Sequence, residues 1–125
     1  MGNSGPGYAK FPEHTVTVAP FKGRVVVELN GEVLAETQHA LKLSEADYPA
    51  VYYLPRSDAR MEKLVRTDRH SHCPFKGEAS YFSIAGGPQN AVWTYEHPFD
   101  EVLAIREHLA FYPNLVSAIK VDPAT

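Results

Sequence analysis

The sequence predicts a mainly β fold, an α+β roll of antiparallel sheets with seven or eight strands and one C-terminal helix near residues 100–110. Two observations place the strands: β-branched and aromatic runs flank Asn30-Gly31, and a second pair of such runs flanks Gly86-Gly87-Pro88. A third limits the helix content. Apolar residues recur at helical spacing convincingly in one place, at Val102, Ile105 and Leu109.

Taken in order, residues 1–13 read as a flexible arm, rich in Gly and Pro with little to bury, and residues 14–125 as one β-rich domain. Thr15-Val16-Thr17-Val18 alternates as a short strand. Asn30-Gly31 then marks a hairpin, because a type I′ turn needs positive φ at both central residues. A two-residue loop pairs Leu29 with Glu32, Val27 with Leu34 and Val25 with Glu36 on one face, and Glu28 with Val33 and Val26 with Ala35 on the other. Ala40 to Leu43 extends that strand or starts another, and Ala50 to Leu54 forms the next between Pro49 and Pro55. Ser57 or Asp58 caps a short helix with Met61, Leu64 and Val65 turned inward. Residues 66–77 read as a polar loop. Residues 79–84 and 91–95 form the second hairpin. Trp93 and Tyr95 share a face there, and the register decides whether Tyr81 or Phe82 meets the indole. Asp100 caps the late helix, Pro113 closes it, and Leu115 to Val121 is a last strand.

Composition narrows the function classes. The chain has 125 residues, enough for one core, and a net charge of −3, which excludes a nucleic acid held by bulk electrostatics. A single cysteine, Cys73, cannot form an intramolecular disulfide and suits a reducing compartment. No apolar run approaches the roughly 20 residues of a membrane span, and the leader lacks an apolar signal core. Pro6 stands where a myristoylation signal on Gly2 wants Ser or Thr. The expectation is a cytoplasmic protein with no membrane partner.

Several clusters carry chemistry. Asp68, His70 and His72 offer metal ligands, but without paired cysteines or helical His spacing they read as a hydrophilic loop, and no metal or cofactor is assigned. Arg56, Arg60 and Arg66, with Lys76 nearby, suit a phosphate or carboxylate, or else salt bridges to Asp58, Glu62, Asp68 or Glu78. Tyr52, Tyr53, Tyr81, Trp93 and Tyr95 serve either as core or as the wall of a pocket for a flat ring. Cys73 beside Arg69 and Lys76 is a candidate thiolate. The sequence contains no Gly-x-Ser-x-Gly elbow, phosphate-cradling Gly-rich loop or His-Glu-x-x-His.

Tyr52-Tyr53-Leu54-Pro55-Arg56, Arg60-Met61, Thr67-Asp68 and the run Cys73-Pro74-Phe75-Lys76-Gly77-Glu78-Ala79-Ser80-Tyr81-Phe82 together resemble the signature of the family called domain of unknown function 427. Trp93-Thr94-Tyr95 with Pro98, and Ala110-Phe111-Tyr112-Pro113, resemble its closing elements, so the likeness spans about residues 15–121. The resemblance implies a β-tent fold, similar to methionine-R-sulfoxide reductases and the cereblon ligand-binding domain. Relatives in that fold hold zinc with two paired-cysteine motifs; a chain with one cysteine does not inherit that site. The family's nucleotidyltransferase-like label finds no Gly-Ser followed by paired metal-binding aspartates here.

The expected function is a small-molecule-binding domain, with or without catalysis. Tyr81, Trp93 and Tyr95 line its pocket, Arg60, Lys76 and Cys73 stand at the rim, and the ligand is flat and anionic. Two alternatives stand beside it: a protein-interaction or self-association module using the edge of the Asn30-Gly31 hairpin, and thiol chemistry at Cys73 with Lys76 lowering its pKa.

Overall fold

The structure, a computed structural model, describes residues 2–124; Met1 and Thr125 lie outside the described residues. Ten strands are joined mostly by turns, with a few short helical turns among them. They are β1 (Val16–Pro20), β2 (Gly23–Leu29), β3 (Glu32–Thr37), β4 (Leu41–Glu45), β5 (Val51–Pro55), β6 (Leu64–Cys73), β7 (Gly77–Ile84), β8 (Val92–Tyr95), β9 (His108–Phe111) and β10 (Ala118–Pro123). A seven-stranded sheet runs β1-β4-β5-β9-β8-β7-β6 and a three-stranded sheet runs β10-β2-β3, with every pairing antiparallel. The mainly β reading holds, with ten strands where seven or eight were expected.

Period-two alternation explains how one large sheet serves two cores. Leu54, Phe82, Ile84, Val92, Leu109 and Phe111 project toward the small sheet, where they meet Val25, Val27, Leu34 and Ala35. Their chain neighbours Tyr53, Tyr81 and Ala110, with Ala79 and Tyr95, project to the opposite face. There Val102 and Ile105, on 3-10 turns spanning Asp100–Ile105, cover them.

Three expected elements are corrected. The polar loop over 66–77 is largely strand: β6 continues to Cys73 and pairs with β7 through His70↔Ser80 and Cys73↔Gly77. As the sheet's edge, β6 leaves most of its charged side chains in water, so its sequence lacks the apolar face that marks a strand. The late helix is a pair of 3-10 turns broken at Val102, followed by β9. Leu109 keeps helical spacing from Ile105 in the sequence, yet it pairs with Leu54 across the sheet, because Glu107 at φ 60° turns the chain back. The short helix after Pro55 is two 3-10 turns, Arg56–Asp58 and Met61–Lys63, without a side-chain cap. Asp58 instead accepts from Thr37 Oγ1 at 2.7 Å.

In the first hairpin, Asn30 (φ 52°) and Gly31 (φ 81°) make the expected turn, and Leu29↔Glu32 and Glu28↔Val33 pair as expected. A bulge then shifts the register, pairing Val27 with Ala35 and Val25 with Thr37. The extra residue buries Leu34 and Ala35 in succession while Glu36 stays exposed, which strict alternation forbids. The outer edge of β3, named as an interaction surface, is partly covered: Ala35 bridges Ala59 and Leu34 O accepts from Arg60 N at 2.8 Å.

The leader makes contacts that its composition did not suggest. A helical turn, α1 (Pro6–Lys10), lies against the β6–β7 turn, with Gly7 N donating to Pro74 O at 3.0 Å and Tyr8 Oη to Phe75 O at 2.8 Å. Gly5 and Gly7 are buried, so the turn has no side chain where it meets the Phe75 ring.

Candidate functional site

The large sheet is split near its centre. β5 pairs with β4 along Val51 to Tyr53, but joins β9 only at Leu54↔Leu109 and Pro55↔His108. Continuing that ladder would set Tyr52 against Phe111 and Val51 against Tyr112. On the side that faces β5, Pro113 has no N–H to extend the ladder, while Tyr112 N continues the β8 ladder by donating to Ala91 O at 2.9 Å. At the split lies a cavity of about 680 Å³ lined by Val51, Tyr52, Leu54, Trp93, Phe111 and Val121, with Glu45 as its one ionisable acid.

Trp93 is half-buried and forms the aromatic wall. Its register partner on β7 is Tyr81, which settles the open question of which aromatic meets the indole. Trp93 Nε1 donates to Tyr53 Oη at 3.2 Å. The Tyr53 ring stands edge-on to the indole at 6.3 Å, and Tyr112 packs against it at 4.5 Å. Two neighbours, one on β5 and one just after β9, therefore hold the indole in place, leaving its free face to the cavity.

Glu45, at the end of β4, accepts hydrogen bonds from Lys76 Nζ and from His14 Nε2 at 2.7 Å. Its side chain is 16% exposed and that of Lys76 13%. Burial pushes the Glu45 carboxyl up, but the Lys76 and His14 hydrogen bonds outweigh it and hold the group below its usual 4.5. The His14 ring stacks on Phe75 at 4.1 Å, tying the leader to the same cluster.

The structure brings together part of the predicted set. Trp93 lines the cavity; Tyr81 and Tyr95 lie on the same sheet face but are buried in its core and do not line it. Lys76 reaches the cavity only through Glu45, and its ammonium is committed to that carboxylate. Cys73 is half-buried at the end of β6, near enough to Tyr8, Tyr53 and Tyr95 for a thiolate there to raise all three. Arg60 is apart from the rest, exposed between the two 3-10 turns beside β3. Arg56 and Arg66 form ion pairs, as one reading held, but their partner is Glu96, at 3.3 and 2.8 Å, and both guanidinium groups lie over the Phe82 ring. His70 contacts Glu78 at 3.3 Å and His72 faces the edge of Phe99. Among the described residues no three His, Cys, Asp or Glu side chains converge as a metal site.

Glu45, Tyr112 and His14 escaped sequence reasoning. Glu45 and His14 sit 31 residues apart and meet only through the pairing of β1 with β4. Tyr112 had a signal, since it closes the Ala110-Phe111-Tyr112-Pro113 segment.

The fold and this site define a two-sheet β domain whose larger sheet opens around an indole-walled cavity. A family model described as "Domain of unknown function (DUF427)" matches residues 17–122, and the chain belongs to that family. No curated protein matches the chain. Among the described residues no helix is long and apolar enough to cross a membrane.

Proposed function

We propose that this domain binds a flat small molecule in the cavity at the split of the large sheet. The observation that carries the reading is Trp93: its indole is held by Tyr53 and Tyr112 and left half-open to a cavity of about 680 Å³. That volume falls within the range of small-molecule sites, roughly 300–1,000 Å³, and the lining is chiefly apolar and aromatic, as such sites are. A ring stacked on the indole gains dispersion and quadrupole contacts, and Glu45 offers carboxylate oxygens to an N–H donor at its edge.

This arrangement changes the ligand expected from the sequence. Arg60 is remote and Lys76 is neutralised by Glu45, so neither supplies a free cation to this cavity. A neutral or donor-bearing ring suits it better than an anionic one. The chain has one tryptophan, so fluorescence quenching reports this wall alone. Nucleosides and cyclic imides, titrated while following Trp93 emission and thermal stability, are expected to quench and stabilise together. Trp93→Phe, read by thermal shift, is expected to weaken binding about tenfold, consistent with a stacking loss of roughly 1–1.5 kcal/mol. If no ring compound both quenches and stabilises, the proposal fails.

A further inference from the structure

We infer that a second hollow, centred on Arg69, is an oxyanion-binding site for a phosphate or carboxylate group. It is a cavity of about 370 Å³ lined by Arg69, Gln89, Asn90, Tyr112, Asn114 and Leu115. It forms where the β6 bulge, the β7–β8 loop and the turn after β9 meet.

Three features converge on an anion. First, Arg69 has no carboxylate partner among the described residues, whereas Arg24, Arg56, Arg66 and Arg106 each have one. An unpaired arginine facing an acid-free hollow is a local positive spot. Second, this arginine is held in place. The register shift between Arg66 and His70 lifts residues 67–69 out of the ladder, and the Arg69 guanidinium lies over the Tyr81 ring, 4.9 Å from its centroid. Tyr81 Oη is bonded in turn to Ser71 Oγ at 2.7 Å. A fork held against a ring loses little freedom when it binds, and its fixed geometry suits two oxygens of one anion. Third, the rest of the polar wall is carboxamide. Asn90 Oδ1 accepts from Thr67 Oγ1 at 2.6 Å, which turns the Asn90 amide N–H₂ away from Thr67 as a donor; Gln89 and Asn114 bring two more amides.

Phosphate and carboxylate share this chemistry, and a bound anion would touch Tyr112, whose ring lies 4.5 Å from Trp93. Occupancy is therefore visible in the single tryptophan, whether or not the cavity beside Trp93 binds a ring. The test titrates inorganic phosphate, phenyl phosphate and benzoate into the wild-type protein, Arg69→Gln and Arg60→Gln, at constant ionic strength. Calorimetry and Trp93 emission are the readouts, with thermal melts confirming that each variant is folded. Saturable binding of inorganic phosphate on the order of 1 mM or tighter is expected. Arg69→Gln should weaken it tenfold or more, and Arg60→Gln, the other arginine without a carboxylate, should leave it unchanged. Benzoate binding more tightly than phenyl phosphate assigns the site to carboxylates, and the reverse preference assigns it to phosphates. Non-saturating titrations in the wild type, or equal affinity in Arg69→Gln, overturn the inference. Neither result bears on neutral rings at Trp93.

Discussion

Replacing Glu45 by Gln removes the carboxylate that holds both Lys76 and His14, and leaves a lysine side chain only 13% exposed without its partner. The cost lies between two limits. Exposed pairs contribute about 0–1 kcal/mol, and breaking a fully buried pair by deleting one member costs about 3–5 kcal/mol. At 16% and 13% exposure the Glu45–Lys76 pair stands nearer the buried limit, but its edge reaches the cavity and solvent. A loss of about 2 kcal/mol is expected, or about 6–8 °C in melting temperature for a domain this size. Lys76→Met keeps the apolar stem and leaves the carboxylate with His14, so it should cost less, about 1 kcal/mol. The double variant should be no worse than Glu45→Gln alone, because the lysine left behind is gone, and the cycle should return about 1 kcal/mol of coupling. Urea unfolding at pH 7 and low salt measures all three. The pH dependence has a fixed sign: the folded-state carboxyl lies below 4.5, so its contribution is complete above that value and disappears as pH falls through the folded pKa. The gap between wild type and Glu45→Gln should therefore close in acid. A Glu45→Gln protein within about 0.5 kcal/mol of wild type, or strictly additive single effects, would refute the reasoning.

Four further outcomes follow from the same geometry. A Cβ at Gly7 would lie 2.8 Å from Phe75 Cε1, so Gly7→Ala should loosen the leader and speed tryptic cleavage after Lys10 several-fold, while global stability falls by about 1 kcal/mol or less. Thr94 is fully buried, donates to His108 O at 2.7 Å and accepts from Arg56 at 3.2 Å, so Thr94→Val should cost about 1–3 kcal/mol in urea unfolding. In a spectrophotometric titration Tyr81 should ionise below 10.0. Burial opposes that ionisation, but hydrogen bonds from Ser71, Tyr112 and Arg69 outweigh it, and Arg69→Gln should move it upward. Burial raises Tyr8 and Tyr112 to about 12 and lifts Tyr53 and Tyr95 as well, so four phenols favour the fold below pH 10 and cease to as pH rises through their folded values. Circular dichroism should show alkaline unfolding above pH 10.

The sequence disclosed the strands whose burial repeats locally and hid those whose identity depends on a neighbour. β7 and β8 carry apolar residues on both faces because both faces are covered, β2 and β3 bury one face against the large sheet, and their turns use residues suited to tight geometry. β6 is an edge strand with wet side chains, so its residues read as loop until β7 pairs with it. Leu109 carries the same lesson in reverse, since a helical interval in the sequence is indifferent to whether a left-handed residue intervenes. The site divides in the same way. Trp93 was visible because a tryptophan between strand neighbours must present one side to something, whereas Glu45 became part of the site through long-range pairing alone. Arg60 and Lys76 drew attention as free cations, yet one is remote and the other is neutralised. The arginine that stays unpaired against an acid-free hollow is Arg69, which the sequence offered only as a neighbour of Cys73. Which cations are available for a ligand is decided by the carboxylates left over after folding, and Glu45 and Glu96, each holding two basic side chains, make that decision here.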